Sequence, residues 1–126
     1  MASQFGHLEI VKFLLKNGSN MEVKDDDERT ALFAAALNGH FEIVKYLYGK
    51  GATLEVKTLD GGYTPLIVAA QEGHLEVLKF LIQKGISVNE KTDDNRTALY
   101  MGSQFGHYEV VRCLVANGAD IGKKYA

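Results

Sequence analysis

The sequence predicts an all-α solenoid, a row of antiparallel helix pairs stacked one on the next, and three observations carry that prediction. The first is a period. Gly-His occurs at 6–7, 39–40, 73–74 and 106–107, in steps of 33, 34 and 33 residues; Gly18, Gly51, Gly85 and Gly118 repeat those steps, and Thr30, Thr64 and Thr97 follow at 34 and 33. Self-similarity at such a spacing marks a repeat architecture. The second is that each copy reads as two short helices divided by a glycine. The third is physical: an isolated helix shorter than about 12 to 15 residues is marginal in water, so such pairs persist only by burying their apolar faces against neighbouring copies.

The clearest copy runs from Thr64 to Gly85, TPLIVAAQEGHLEVLKFLIQKG. Thr64 is a helix N-cap, and Pro65 occupies the next position, where a missing N–H costs nothing. Leu66, Ile67, Ala69 and Ala70 give a short, mostly small apolar surface before Glu72-Gly73 ends a helix of about two turns, the glycine being free to adopt the left-handed conformation. After His74, the apolar residues Leu75, Val77, Leu78, Phe80, Leu81 and Ile82 recur at helical spacing among Glu76, Lys79, Gln83 and Lys84 until Gly85 closes the second helix.

The whole chain is one domain of four such units, over 1–24, 25–57, 58–91 and 92–126. The first is truncated, starting a few residues before Gly6-His7; its MASQFGH nearly duplicates MGSQFGH at 101–107, so the missing upstream half is expected to resemble the start of the fourth unit and Met1 to mark a cut. The third unit has one extra residue around Leu59-Asp60-Gly61-Gly62, between the helices' bounds, where insertions are tolerated. The last unit keeps Tyr100, Met101, Tyr108, Val111, Cys113 and Val115 much as an internal unit would, which predicts an exposed apolar surface at one or both ends of the row.

In its period and in the order T-P-L, A-A, G-H-L-E-V and a closing glycine, the chain resembles the ankyrin-repeat family over essentially its full length. Thr64, Pro65, Leu66, Ala69, Ala70, Gly73, His74, Leu75, Glu76, Val77 and Gly85 stand at signature positions. The units TALFAAALNGHFEIVKYLYGKGA from Thr30 and TALYMGSQFGHYEVVRCLVANGAD from Thr97 carry alanine for the proline, and Phe33, Ile67 and Tyr100 replace the family's usual histidine, so the polar network of that histidine is not expected. The resemblance implies that residues 19–29, 52–63 and 86–96 form β-hairpin-like fingers along one edge.

Composition bounds the chemistry. A chain of 126 residues, 46% hydrophobic and 24% charged, is an ordinary folded domain, and a formal charge of −2 gives no general field for polyphosphate. One cysteine excludes an internal disulfide and fits a reducing compartment. No apolar run reaches the roughly 20 residues that span a bilayer, and MASQFGHLEI lacks the regions of a secretion signal, so the expected location is intracellular and cytoplasmic, without membrane insertion. Four histidines suggest zinc. A tetrahedral site needs its ligands about 2.0–2.1 Å from one ion, whereas successive units stand about 8–10 Å apart, so each histidine reads as a local hydrogen-bonding residue and no metal is expected. Asp25, Asp26, Asp27 and Glu28 lack the spacing of a calcium loop and read as a solvated finger tip. Cys113 matches Phe13, Tyr46 and Phe80 in register and reads as a packing residue. No serine follows the period of the histidines and Gly61-Gly62 is not followed by Lys-Ser or Lys-Thr, so neither a hydrolase triad nor a phosphate loop is present. No enzyme activity and no cofactor are expected.

What remains is a surface. The resemblance implies protein binding along the concave side made by the fingers and first helices, and its variable contact positions fall on Asp26, Asp27, Arg29, Leu37 and Asn38, then Tyr63, Gln71 and Glu72, then Asp93, Asp94, Arg96, Gln104 and Phe105, with Gln4 and Phe5 in the truncated unit. Leu59 and Asp60 are added because the insertion makes their finger protrude. Aromatic and arginine side chains are the expected anchors. The acidic tips suggest a partner that is basic near them, with Arg29 and Arg96 pairing to neighbouring aspartates. The alternative function is architectural, a self-associating segment of a longer array. Nucleic-acid binding is not expected, since Lys24, Lys57 and Lys91 alternate with the acidic residues.

Overall fold

Threonine sets the helix starts. In the computed structural model, which describes residues 30–59 and 61–119, Thr30, Thr64 and Thr97 lie in extended backbone just ahead of a helix. Each hydroxyl oxygen accepts the N–H three residues on, from Phe33 at 3.2 Å, Ile67 at 3.2 Å and Tyr100 at 3.1 Å. This satisfies one of the donors that a helix N-terminus leaves without an internal partner. Among the described residues six helices follow in chain order: α1 (Ala31–Asn38), α2 (Phe41–Gly49), α3 (Pro65–Glu72), α4 (Leu75–Gln83), α5 (Ala98–Gln104) and α6 (Tyr108–Ala116). Gly39 and Gly73 end α1 and α3 in the left-handed region, at φ 73° and 75°.

The helices form two rows. α1, α3 and α5 pack side by side, and α2, α4 and α6 form the second row behind them. A helix in the middle of the first row has neighbours on both sides, and every residue of α3 from Pro65 to Ala70 is buried as a result. Ala69 and Ala70, at 0% exposure, let the neighbouring backbones approach closely. The second row contributes Leu47, Leu78, Leu81 and Leu114 to the seam, each of them worth about 1.5–3 kcal/mol on burial.

The histidines are where the structure corrects the sequence reading. His74 and His107 precede α4 and α6, but their side chains make no cap hydrogen bond to their own helices. They reach across the joint between units instead: His74 Nε2 lies 3.0 Å from the Leu37 carbonyl oxygen and His107 Nε2 lies 2.8 Å from that of Gln71. A carbonyl only accepts, so Nε2 carries the proton in both. The rings lie over the left-handed glycines of the preceding unit. A Cβ on Gly39 would stand 2.6 Å from the His74 ring, and one on Gly73 2.5 Å from His107 Nδ1. These glycines are therefore required twice, once for backbone conformation and once for the space their lost side chain leaves.

The pair α5–α6 has a joint on one side only among the described residues, and it keeps the exposed aromatic surface that the sequence predicts. Tyr100 is 48% exposed, whereas its counterparts Phe33 and Ile67 are 2% and 0% exposed.

Candidate functional site

The fingers are built on alternation. From Ala52 to Leu59 buried and exposed residues strictly alternate, with Ala52, Leu54, Val56 and Thr58 inward and Thr53, Glu55, Lys57 and Leu59 outward, the period of an extended chain packed on one face. The ladder between the arms is short: Lys91 and Thr97 form the one antiparallel bridge among the described residues. A threonine at equivalent positions closes each of the two tips among the described residues. Thr58 N–H donates to the Tyr63 carbonyl at 3.0 Å and its hydroxyl accepts from Tyr63 N–H at 3.1 Å; Thr92 N–H donates to the Arg96 carbonyl at 2.9 Å and its hydroxyl accepts from Arg96 N–H at 3.0 Å. The inserted residue is absorbed by Gly61 and Gly62 at φ 90° and 70°, where the shorter finger uses Asn95 at φ 67°. The two tips are tied together, Asp93 N–H donating to the Gly61 carbonyl at 2.9 Å.

On these fingers Leu59 is 70% exposed, and Asp93 and Asp94 are exposed. Asp94 accepts a hydrogen bond from the Thr92 hydroxyl and lies 3.2 Å from Arg96 Nε. The Thr92 bond first, and the Arg96 charge second, hold its carboxyl below the ordinary aspartate range. The pairing of Arg96 with a neighbouring aspartate is thus as the sequence predicts. The Arg96 guanidinium also lies 5.6 Å from the centre of the Tyr100 ring. Tyr63 is half-buried and packs against the core.

The remaining candidates sit at the other end of the first helices. Leu37 is half-buried and its carbonyl receives His74. Asn38 is exposed and donates to the Ala34 carbonyl at 2.9 Å. Gln71 is half-buried, receives His107 on its carbonyl and donates to Glu72 Oε2 at 3.1 Å. Gln104 and Phe105 are exposed, Phe105 by 52%. Phe5, Asp26, Asp27, Arg29 and Asp60 lie outside the described residues.

The candidates therefore form two rows. Tyr63 and Arg96 immediately precede the N-caps Thr64 and Thr97, whereas Asn38, Glu72 and Phe105 stand at or just past the opposite helix ends. An eight-residue helix is about 12 Å long at 1.5 Å per residue, which sets the distance between rows. Sequence reasoning missed Tyr100, which joins the finger row through Arg96. The available signal was a polar-tipped tyrosine at a position held elsewhere by Phe33 and Ile67. Among the described residues no group of three or more histidines, cysteines or carboxylates is placed to hold a metal ion, and no helix is long and apolar enough to cross a membrane.

A family model described as ankyrin repeats (3 copies) matches residues 1–92 and 55–125. A search of curated proteins gave no match to the chain.

Proposed function

Because the chain belongs to the ankyrin-repeat family, whose members are protein–protein interaction modules, we propose that it is a non-catalytic scaffold binding a protein partner between the finger row and the row at the first helices' far ends. The observation that carries this reading is a division of labour along the same elements. Leu66, Ala69 and Ala70 are buried, as are their counterparts Leu32, Ala35 and Ala36, while Asp93, Asp94, Gln104 and Phe105, on the finger and at the far end of the first helix, are exposed. Binding energy concentrates in aromatic and arginine side chains, which makes Phe105 and Arg96 the anchors. The aspartates at the tips favour a partner with basic groups facing them, since complementary charge accelerates encounter. The single cysteine, which excludes an internal disulfide, favours a reducing, intracellular setting.

The experiment is a pull-down from the native cell with three proteins: wild type, Asp93→Lys plus Phe105→Ala, and the control Lys79→Ala on the exposed side of α4. A partner lost with the first variant and kept with the control supports the reading; Phe105→Ala alone should cost about 2 kcal/mol, about thirtyfold in Kd. Loss with the control alone would place the binding surface on the second-row helices. For a partner so found, association should slow as ionic strength rises, and salt-insensitive association would remove the basic partner from the proposal.

A further inference from the structure

We propose that the solvent-facing seam between α2 and α4, in the second row of helices, is a further docking surface, and that it takes an acidic protein segment carrying apolar side chains. It is separate from the finger side and does not rest on the partner proposed there. Three rings form its floor. Phe80 of α4 packs edge-on against Phe41 of α2, with centroids 5.9 Å apart and planes at 79°, and against Tyr48 of α2, at 5.6 Å and 86°. Two lysines stand over these rings. Lys45 Nζ lies 5.0 Å from the centre of Phe41, and Lys84 Nζ lies 5.3 Å from that of Tyr48 and 5.4 Å from that of Phe80. Phe41, Lys45 and Tyr48 fall at i, i+4 and i+7, so one face of α2 supplies all three, and Phe80 and Lys84 are one turn apart on α4.

The joint between α4 and α6 shows that stacking does not demand this construction. By register Leu75, Lys79 and Ile82 stand there for Phe41, Lys45 and Tyr48, and Cys113 and Asn117 stand for Phe80 and Lys84. Leu75, Ile82 and Cys113 pack against the core as Phe41 and Phe80 do. The units therefore join without three aromatic rings and without a second lysine. Packing also leaves much of the aromatic cluster open: Tyr48 is 38% exposed, and Phe41 and Phe80 are half-buried. The lysines are equally available. The Lys45 side chain is 46% exposed and lies 3.9 Å from Glu42, an exposed pair that contributes little in water. Lys84 is exposed, and among the described residues no carboxylate pairs with it. An ammonium over a ring face is attracted to it and keeps N–H donors for an acceptor.

These features select the occupant. Two ammonium groups beside a partly open ring cluster call for carboxylates that reach the lysines and an apolar side chain that covers Tyr48 and Phe80. A segment of protein chain offers both on one face, as in helix-in-groove recognition. An extended polyanion fits less well, because Glu42 and Glu76 stand in the first turns of the same two helices and the whole chain carries −2. Asp93 and Asp94 on the finger give that side the opposite sign, so the two surfaces call for partners of opposite charge.

The test titrates the isotope-labelled 126-residue chain with a peptide of about twelve residues that alternates glutamate pairs with leucines, and follows amide chemical shifts. The expected result is a saturable shift at Lys45, Tyr48, Phe80 and Lys84 with a Kd on the order of 100 μM, while Arg112, Cys113 and Asn117 on α6 stay unmoved. Lys45→Gln plus Lys84→Gln, at two exposed positions, should weaken binding at least about tenfold, and Tyr48→Ala should weaken it about threefold. Phe105→Ala, on the other surface, should leave it unchanged. Parallel titrations with oligothymidylate and with phosphatidylserine vesicles present the other anionic partners. Peptide shifts that survive the double lysine substitution, that map to the fingers or to α6, or that either alternative anion matches overturn the proposal, as does the absence of any shift up to about 1 mM peptide.

Discussion

Gly73 and Gly106 share one backbone conformation, φ 75° at each, and differ in what stands over them. The His107 ring lies against Gly73, where a Cβ would meet it at 2.5 Å, whereas no described atom is within 4 Å at Gly106. The same contrast runs through the helices they follow: Ile67 on α3 is fully buried and Tyr100, its counterpart on α5, is half exposed. One sequence position thus has two energetic meanings, set by whether another unit covers it. In a repeat protein a residue's contribution belongs partly to its unit and partly to the joint.

The largest expected difference comes from the core. Ile67→Ala should cost about 2–5 kcal/mol, the transfer of the lost methyl groups plus the cavity they leave. Tyr100→Ala should cost under about 1 kcal/mol, as a largely exposed site leaves no closed cavity. Urea unfolding of the two variants measures both. Equal losses would break the comparison by showing that Tyr100 is as well covered as Ile67.

Next in size is the glycine pair itself. Gly106→Ala pays the left-handed strain alone, about 1–2 kcal/mol. Gly73→Ala pays that strain and also displaces His107 from the Gln71 carbonyl, a hydrogen bond worth about 1 kcal/mol. The double substitution Gly73→Ala plus His107→Ala separates the two contributions: the histidine change should cost less in the Gly73→Ala background than in the wild type. Strict additivity would show that ring and glycine do not communicate.

Much of this was legible in the sequence, and the unread part has a common cause. Caps, helix bounds and the finger insertion are local, because Thr64 and Gly73 act within four residues of themselves. The role of the histidines was not, since the acceptors of His74 and His107 lie 37 and 36 residues away and each ring replaces a side chain that another unit's glycine lacks. The candidate surface was half legible. The family resemblance marked Asp93, Asp94 and Phe105 as contact positions, but only the helix length separates them into two rows. The fingers carried an overlooked signal in the alternation of Ala52, Leu54, Val56 and Thr58.

That alternation breaks once, and the break supplies the smallest expected effect. Glu90 occupies the place of Val56, which is 6% exposed. Its Oε1 is buried with no hydrogen-bond partner. Burial pushes its carboxyl above the ordinary glutamate range, opposed by a hydrogen bond with Thr64 and reinforced by the nearby Glu55 charge. Thr64 Oγ1 already accepts from Ile67 N–H, which leaves its own proton to donate to Glu90. Because the folded carboxyl holds its proton to higher pH than the unfolded one, the folded state binds more protons from the unfolded pKa of about 4.3 upward to the raised value. Stability from this group is therefore present below that window and lost as pH rises through it. Asp94 has the opposite sign at lower pH, its depressed carboxyl losing stability as pH falls. The comparison that isolates Glu90 is the melting temperature of wild type minus that of Glu90→Gln across about pH 4 to 7, which should fall with rising pH. Glu90→Val, which restores the alternation, should be the more stable protein at neutral pH, and an unchanged or lower melting temperature there would show that the bond to Thr64 outweighs the burial of the charge.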